Sequence, residues 1–339
     1  MVAGRVKYSG PRQHRTNRLT PKFQTHRLEF PPDYAGRRLD QALAQLLPQY
    51  SRTRIQRWIE EGAVEINGLR PRARDLVVGG ETATVEARLP AETGVKAEKL
   101  PLDIIHQDAA VIILNKPPGV VVHPGAGNPG KTLQNALLAH DPRLAKVARA
   151  GIVHRLDKDT SGLLIVARSE SARIKLADEL AARAIHREYQ AVCVGVMTSG
   201  GKVDAPIDRH PVDRVRMAVR TGGRDSVTHY RVIERYRRHT WVRVTLETGR
   251  THQIRLHLSH AGYPLVGDAV YGGRLVLPKG ASPAFIETLR GFRRQALHAA
   301  KLAFPHPQDG RAIEVESPLP ADFRALLAAL KRDRTAAEG

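Results

Sequence analysis

Cysteine and long apolar runs are what this 339-residue sequence has least of. Its one cysteine, Cys193, excludes an intrachain disulfide framework and a cysteine-rich zinc site, and it fits a reducing cytosol. Cys193 lies in an apolar segment, so we expect it to be a small buried residue. No run approaches the roughly 18 apolar residues of a membrane-spanning helix, so we expect a soluble, cytoplasmic protein without a membrane partner.

Acidic residues are absent from the first 28 positions, where basic residues recur. The basic residues are Arg5, Lys7, Arg12, Arg15, Arg18, Lys22 and Arg27. A transit peptide would also be rich in arginine, but this stretch lacks an amphipathic apolar face and the apolar core of a secretory signal. The pattern predicts a disordered basic arm over residues 1–28.

Basic residues outnumber acidic ones in the whole chain, with 54 Lys and Arg against 34 Asp and Glu and a formal net charge of +20. Such an excess neutralises phosphates and releases their counterions on binding. The composition therefore indicates a nucleic-acid partner, although charge alone does not identify an enzyme. With 42% hydrophobic residues, the chain can bury one large core or two unequal ones.

A compact unit is predicted for residues 29–88. Leucines repeat at helical spacing over residues 39–47, Ser51 can cap a second helix, and Gly62 stops it before a strand and hairpin at residues 64–68. The second helix carries Arg52, Arg54 and Arg57. Because like charges within two turns repel unless anions are near, we expect these arginines to contact RNA; the alternative is a merely solvated face.

The densest polar segment lies directly before a predicted core strand. Residues 154–162 carry several ionisable side chains and a Thr-Ser-Gly turn signal, and they run into the apolar residues 163–167. Charged groups beside a core are costly unless they pair or act on a substrate. This segment is therefore the first site candidate, and the alternative is a solvated turn.

A linker is predicted over residues 89–100 and a larger domain over residues 101–333. Strand candidates in the larger domain are 104–105, 111–114, 120–122, 163–167, 189–196, 226–233 and 241–247, and helix candidates are 132–140, 171–184 and 321–332. The pattern predicts an α+β fold with a long mixed, largely antiparallel central sheet flanked by helices.

Ordered motifs in the larger domain resemble those of a known family. The motifs are His154-Arg155-Leu156-Asp157-Lys158-Asp159-Thr160-Ser161-Gly162, Arg187-Glu188-Tyr189, Gly249-Arg250-Thr251-His252-Gln253-Ile254-Arg255, Pro264-Leu265-Val266-Gly267-Asp268 and Gln295-Ala296-Leu297-His298-Ala299. The series is similar to the signature of the RluA family of pseudouridine synthases. The resemblance implies the pseudouridine synthase fold, an isomerase activity and, for residues 29–88, an αL RNA-binding motif like that of a small-subunit ribosomal protein. Residues 123–129 and 150–153 resemble members that modify several uridines of one hairpin of large-subunit ribosomal RNA.

The resemblance also implies roles for single residues. Asp157 takes the place of the family's catalytic aspartate, and whether it attacks the ribose or the base stays open. Tyr189 would stack on uracil and offer its hydroxyl for proton transfer. Arg255 is expected to pair with Asp157 and keep it ionised, with Arg250 as the alternative partner. On chemistry alone, Asp159 competes with Asp157.

Three further residues of this domain are expected to contact RNA. Arg155 resembles the family residue that fills the gap left by the target nucleotide, and the alternative is an ordinary phosphate contact. His154 is the second candidate, against the interpretation of a hydrogen-bonded framework histidine. Lys131 is the third, as a phosphate contact.

One motif favours a different function. Residues 125–132 satisfy the P-loop expression, which by pattern alone indicates an RNA-dependent NTPase. The acidic residue that organises magnesium in such enzymes is missing, because the best strand, 163–167, ends at Arg168. Pro129 also lacks the N–H that a phosphate-binding loop uses. We therefore expect no nucleotide cofactor.

Neither a metal nor an organic cofactor is expected. The spacing of His252, His257 and His260 puts only the last two on one face of a helix, and no cysteine or nearby carboxylate completes a zinc site. Isomerisation exchanges no electrons or groups with a second molecule. We expect a monomeric enzyme acting on ribosomal RNA; the competing function is a non-catalytic RNA-binding or ribosome-assembly factor, which would not require the catalytic set.

Overall fold

The computed structural model describes residues 22–338 except for 48–49, 51, 90–94, 126 and 214–215. The chain divides into two compact units, one ending at residue 94 and one beginning at residue 95. In the ranges that the structure describes, none of the helices combines the length and the apolar character needed to cross a membrane.

The first unit packs two helices on a small sheet. Its elements are β1 (Lys22–Glu29), α1 (Leu39–Leu46), α2 (Arg52–Glu60), β2 (Val64–Ile66) and β3 (Thr82–Leu89). The strands pair antiparallel in the order β1-β3-β2. Leu43, Ile55 and Trp58 from the helices are buried against Val64 and Val85 of the sheet, as the helical spacing of the apolar residues predicts.

The prediction of a disordered arm is wrong for residues 22–28. They belong to β1, which pairs with β3 from Lys22↔Leu89 to Glu29↔Thr82. The strand is held mainly by its ladder and by polar contacts such as the 2.8 Å bond between His26 and Tyr50, so it carries little apolar signal. The rest of the predicted arm and the predicted cap at Ser51 lie outside the described residues.

The second unit is built on one large sheet. Its strands are β4 (Ile104–Gln107), β5 (Val111–Lys116), β6 (Ser161–Ala167), β7 (His186–Val194), β8 (Gly201–Asp204), β9 (Ile207–Arg209), β10 (Met217–Val219), β11 (Val227–Arg235), β12 (His239–Leu246), β13 (Leu297–Pro305) and β14 (Ala312–Glu316). Its α-helices are α3 (Leu133–His140), α4 (Glu170–Ala181), α5 (Gln253–His260), α6 (Pro283–Gly291) and α7 (Ala321–Glu338). The sheet runs β4-β5-β6-β13-β7-β12-β11-β8, with β14 on β13 and a separate β9-β10 hairpin. The predicted mixed, largely antiparallel sheet is confirmed.

Three predicted boundaries differ from the structure. Residues 120–122 form no strand, because the carbonyls of Val121 and Val122 accept the first N–H groups of α3 at 2.8 and 3.1 Å. Residues 95–100 belong to the second unit rather than to a linker, since the Lys96 carbonyl accepts a 2.7 Å hydrogen bond from the Asn135 amide. The domain also continues past residue 333, because α7 runs to residue 338.

The parallel contact between β6 and β13 positions the site. The two strands pair only at Ser161↔His298 and Gly162↔Ala299. A Cβ on Gly162, whose φ is +114°, would lie 2.2 Å from the Ala299 carbonyl oxygen, so only glycine permits this approach. Further along β6, the Ile165 N–H donates to Nε2 of His154 at 3.0 Å, which brings the segment before Asp157 alongside the strand.

Candidate active site

A cavity of about 610 Å³ is lined by the segment before β6, by β7 and by the start of α5. It contains Asp157, Tyr189 and Arg255, the three residues predicted to be catalytic. Asp159 does not line it, because the Thr160 N–H bonds to the Asp157 carbonyl at 3.1 Å and so closes a turn between the two aspartates. The geometry thus distinguishes Asp157 from Asp159, which chemistry alone could not do at the level of the sequence.

Arg255 joins two carboxylates. Its Nη1 donates to Oδ2 of Asp157 at 2.9 Å, while Nε and Nη2 donate to Asp268 at 2.7 and 2.9 Å. The N–H groups of Val270 and Tyr271 also donate to Asp268, at 2.9 and 3.0 Å, and fix its position. The Asp268 side chain is fully buried, whereas 17% of the Asp157 side chain is exposed. Asp157 is therefore the carboxylate available to a substrate.

The charges of Asp268 and Arg255 are strongly held. Burial alone would raise the pKa of Asp268, but the hydrogen bonds and the charge of Arg255 outweigh it and keep that pKa below its usual value. Burial would lower the pKa of Arg255, and the two carboxylates instead raise it above its usual value. A permanently charged guanidinium thus lies against Asp157. The alternative partner, Arg250, points its Nε at the Asp225 carbonyl, at 3.3 Å.

Tyr189 lies in the centre of the sheet. It is opposite Val244 of β12 and Ala299 of β13, and only 5% of its surface is exposed. Burial raises the pKa of Tyr189; Arg187 opposes this shift and Asp157 adds to it. The phenol therefore keeps its proton at neutral pH and can donate it inside the cavity.

His252 is a site residue that the sequence analysis did not assign. It begins α5 in a left-handed conformation with φ 57°. The Tyr271 hydroxyl accepts the Met217 N–H at 2.8 Å and lies 2.9 Å from Nδ1 of His252, so its own hydrogen is free to bond Nδ1. A neutral His252 that accepts this hydrogen on Nδ1 carries its ring proton on Nε2, the nitrogen that lies 3.8 Å from Oδ1 of Asp157. Burial lowers the pKa of His252, which favours this neutral ring.

Lys116 supports the segment behind Asp157. It is completely buried at the end of β5, and its Nζ donates to the carbonyls of Pro117, Val120 and Lys158 at 2.8, 3.0 and 2.9 Å. Burial lowers the pKa of Lys116 to about 7. A lysine that closes an apolar strand and precedes Pro-Pro-Gly was the available sequence signal for this contact.

The residues predicted to contact RNA near the cavity fall in different places. Arg155 is exposed and lines the cavity. His154 also lines it, but its Nε2 accepts the Ile165 N–H, and burial and Arg187 lower the pKa of His154 to about 3. Lys131 is exposed and lies outside the cavity lining. Of these three predicted residues, Arg155 alone combines a charged side chain, exposure and a place in the cavity.

The P-loop expression describes a helix cap in this fold. Thr132 is completely buried at the start of α3, where it forms a capping box with Asn135. The Lys131 N–H lies 3.2 Å from both carboxylate oxygens of Glu98, in a position where a nucleotide loop would bind phosphate. The hydroxyl and the amide that a nucleotide would need are thus engaged within the protein.

Arg52 and Arg57 of α2 have carboxylate partners within the protein. Arg52 donates to the buried Asp40 at 2.8 and 2.9 Å, and Arg57 donates to Glu61 at 2.8 Å. Protein carboxylates therefore supply the anions near Arg52 and Arg57, so the repulsion argument does not require RNA there, and the RNA contact stays a prediction. Because 44% of the Arg52 side chain stays exposed, its remaining donors are accessible to RNA.

Within the histidine cluster, His257 is part of the framework. Both ring nitrogens of His257 are bonded, to Thr228 and to the Ala205 carbonyl, each at 2.9 Å. Among the described residues, no three His, Cys, Asp or Glu side chains come close enough to hold a metal ion. Cys193 is buried, as predicted.

Comparison with known proteins adds to this geometry. Residues 110–260 match the family model described as RNA pseudouridylate synthase, and residues 37–81 match the S4 domain model. The chain is 53% identical over 303 residues to ribosomal large subunit pseudouridine synthase D of Xanthomonas campestris, which covers 89% of this chain and 92% of the relative. The chain belongs to the RNA pseudouridylate synthase family. It is an RNA-modifying isomerase with an S4 domain at its N-terminus.

Other relatives agree on family and fold. Ribosomal large subunit pseudouridine synthase D of Escherichia coli K12 is 52% identical over 299 residues, 88% of this chain and 92% of the relative. The solved structure of human RNA pseudouridylate synthase domain containing 4 covers 68% of this enzyme and 93% of the human chain, with 27% identity and a TM-score of 0.53. The family and fold that the motifs of the sequence implied are confirmed.

Proposed function

We propose that the enzyme isomerises uridine in large-subunit ribosomal RNA, at several positions of one hairpin. The observation that carries the proposal is the cavity in which Asp157, held by Arg255, lies with the buried Tyr189. The relatives from Xanthomonas and Escherichia are named for the large ribosomal subunit and align over about nine-tenths of the chain, which supports this substrate.

The geometry suggests how the reaction is divided among the residues. The bond from ribose C1′ to uracil N1 breaks, the base rotates, and C1′ bonds to C5; the C5 proton leaves and N1 gains one. Oδ2 of Asp157 is fixed by Arg255, so Oδ1 is the oxygen presented to the ribose or the ring. Tyr189 supplies a face for the base and a protonated hydroxyl. The bonds and protons of this isomerisation balance without a cofactor.

RNA binding would involve both units. Arg155 lies at the cavity and would fill the gap left by the flipped nucleotide, while His154 supports the wall and Lys131 would touch phosphate outside it. Arg52, Arg54 and Arg57 of the S4 domain would contact phosphates more remote from the target. We further propose that the enzyme acts as a monomer, in the cytoplasm and without a nucleotide.

Mapping pseudouridine in large-subunit ribosomal RNA tests the proposal. Cells that lack the gene should lose several pseudouridines within one hairpin, and the purified enzyme without nucleotide should restore them on unmodified RNA. Restoration by the enzyme, but not by its Asp157→Asn variant, would assign the activity to the cavity. An unchanged map, together with defective subunit assembly, would instead support a non-catalytic assembly factor.

A further inference from the structure

Arg187 is a buried cation of the cavity that the reaction scheme above does not use. It lies two residues before Tyr189 on β7, so both side chains are on the same face of the sheet. Only 8% of Arg187 is exposed. Its Nε is buried without an acceptor, and among the described residues no carboxylate lies within the 4.0 Å of a salt bridge.

The carboxylates that line the cavity are already engaged by other arginines. Asp157 is bound by Arg255, and Glu247 is bound by Arg183. The charge of Arg187 does reach His154. Burial is the largest cause that lowers the pKa of His154, and the charge of Arg187 is the second. Arg187 therefore has no ion-pair partner among the residues that the structure describes.

The backbone next to Arg187 leaves room for its guanidinium. A Cβ on Gly249 would lie 2.7 Å from Nη1 of Arg187, so a larger residue at 249 would displace the group. Gly249 belongs to the segment that leads into His252 and Arg255, and it also lines the cavity. The guanidinium is thus seated between the site's own elements rather than on an outer surface.

A buried and unpaired charge is unfavourable unless an anion joins it. A guanidinium offers a planar fork of donors that matches phosphate oxygens, and a base carbonyl would bond it without neutralising it. A uridine whose base enters the cavity must bring its backbone along. We propose that Arg187 binds a phosphodiester adjoining the target uridine and so fixes the ribose before Asp157; this inference rests on the proposed function.

Neutral linkages in the RNA test the contact. Single-turnover rates are measured on a hairpin of ordinary RNA that contains the target uridine and on versions with one methylphosphonate linkage, placed 5′ or 3′ of that uridine. For the native enzyme we expect one of the two positions to slow the reaction about 100-fold, the size of a lost hydrogen bond between charged groups. Arg187→Gln should be about 100-fold slow on ordinary RNA and lose nothing more on that methylphosphonate.

Two further variants serve as controls. Arg183→Gln, which removes a cavity arginine already paired with Glu247, should keep the full methylphosphonate penalty. Arg187→Lys should be slowed less than Arg187→Gln, because it keeps the charge but not the fork. Without RNA, Arg187→Gln should melt no lower than the native enzyme, since it removes a charge that has no ion-pair partner among the described residues, whereas loss of a merely structural arginine would lower the Tm.

The inference would be overturned if the rate losses caused by Arg187→Gln and by the methylphosphonate linkage multiplied, because the two changes would then act independently. That result would point to a base oxygen or to a role in the fold. A lower Tm for Arg187→Gln together with multiplied penalties would assign Arg187 to the fold. Failure of the proposed function appears differently, as the absence of pseudouridine from every large-subunit RNA treated with the native enzyme.

Discussion

The two oxygens of Asp157 have different surroundings. Oδ2 accepts the 2.9 Å hydrogen bond from Arg255, whereas Oδ1 has only the more distant Nε2 of His252, at 3.8 Å. One oxygen therefore fixes the orientation of the carboxylate and the other keeps its lone pairs for a substrate. Asp268 makes this division possible, because it binds the other two nitrogens of the same guanidinium.

Replacing Asp157 with Asn should abolish isomerisation. An amide is nearly isosteric but is a far poorer nucleophile and base, so we expect the single-turnover rate to fall at least about 1,000-fold. Affinity for RNA should change by less than about twofold, since the charge serves chemistry rather than docking. Pseudouridine assays and RNA titrations measure the two effects. Asp159→Asn is the matched control; an inactive control beside an active Asp157→Asn variant would move the assignment to Asp159.

His154 predicts how stability depends on pH. Its pKa is lowered from 6.5 to about 3 in the folded enzyme, so between these values the unfolded chain binds a proton that the folded one does not. The stability that depends on neutral His154 is complete above pH 6.5 and falls as the pH is lowered, by up to about 1.4 kcal/mol per unit.

Urea unfolding of the native enzyme and of His154→Gln checks this dependence. The glutamine carbonyl can still accept the Ile165 N–H, but it does not titrate. Between pH 6.5 and pH 5, we expect the native enzyme to lose about 2 kcal/mol more than the variant. Equal losses in the two proteins would show that other groups account for the acid sensitivity.

At the scale of elements, the residues that match the P-loop expression form the capped start of α3. Thr132→Ala removes the hydroxyl of the capping box and should lower the free energy of unfolding by about 1 kcal/mol. Thr132→Ala combined with Lys131→Ala should still form pseudouridine without nucleotide, with at most a modest loss of RNA affinity. Urea unfolding and assays with and without ATP measure these effects, and Lys131→Ala alone is the control. Native activity that depends on ATP would restore the NTPase interpretation.

Elements with a strong apolar signal could be predicted from the sequence. β6 is buried along its whole length, and its apolar run was sufficient to find it. β1 was missed because it is held by backbone pairing with β3 and by polar side-chain contacts. Residues 120–122 were misassigned because the carbonyls of Val121 and Val122 accept hydrogen bonds from the first N–H groups of α3. Such backbone partners lie far along the chain and leave no local pattern.

The same limit applies to the site. The motif before β6 identified Asp157, and chemistry suggested an arginine partner. The second carboxylate, Asp268, could not be predicted as its counterpart, because it lies in a loop after α5 and meets Arg255 only when the chain is folded. The position of the His252 ring depends likewise on Tyr271, whose hydroxyl lies 2.9 Å from Nδ1.

At the scale of the whole molecule, the proposed chemistry lies in one of the two units, whereas the proposed RNA contacts are spread over both. The residues proposed for catalysis all follow residue 95, whereas the α2 arginines lie in the first unit. Removing residues 1–94 should weaken RNA binding and reduce the slope of log affinity against log salt by about 0.7 to 0.9 for each lost phosphate contact. Some isomerisation of a short hairpin should remain.

Salt titrations of the full chain and the truncated chain test this separation, with circular dichroism and a thermal melt to establish that the truncated chain is folded. If the two bind with equal affinity and equal salt slope, the S4 domain is not an RNA anchor, and protein contacts become its better assignment.

The position of β13 governs when the enzyme can fold. This strand lies between β6 and β7 in the sheet, yet it is made more than 100 residues after both have begun. During synthesis, the facing edges of β6 and β7 stay open until residue 305 has left the ribosome, and open edges favour association with other chains. A nascent chain that ends before Leu297 already contains Asp157, Tyr189 and Arg255, but it lacks the strand that closes the sheet between them. We therefore expect activity only after β13 has been synthesised.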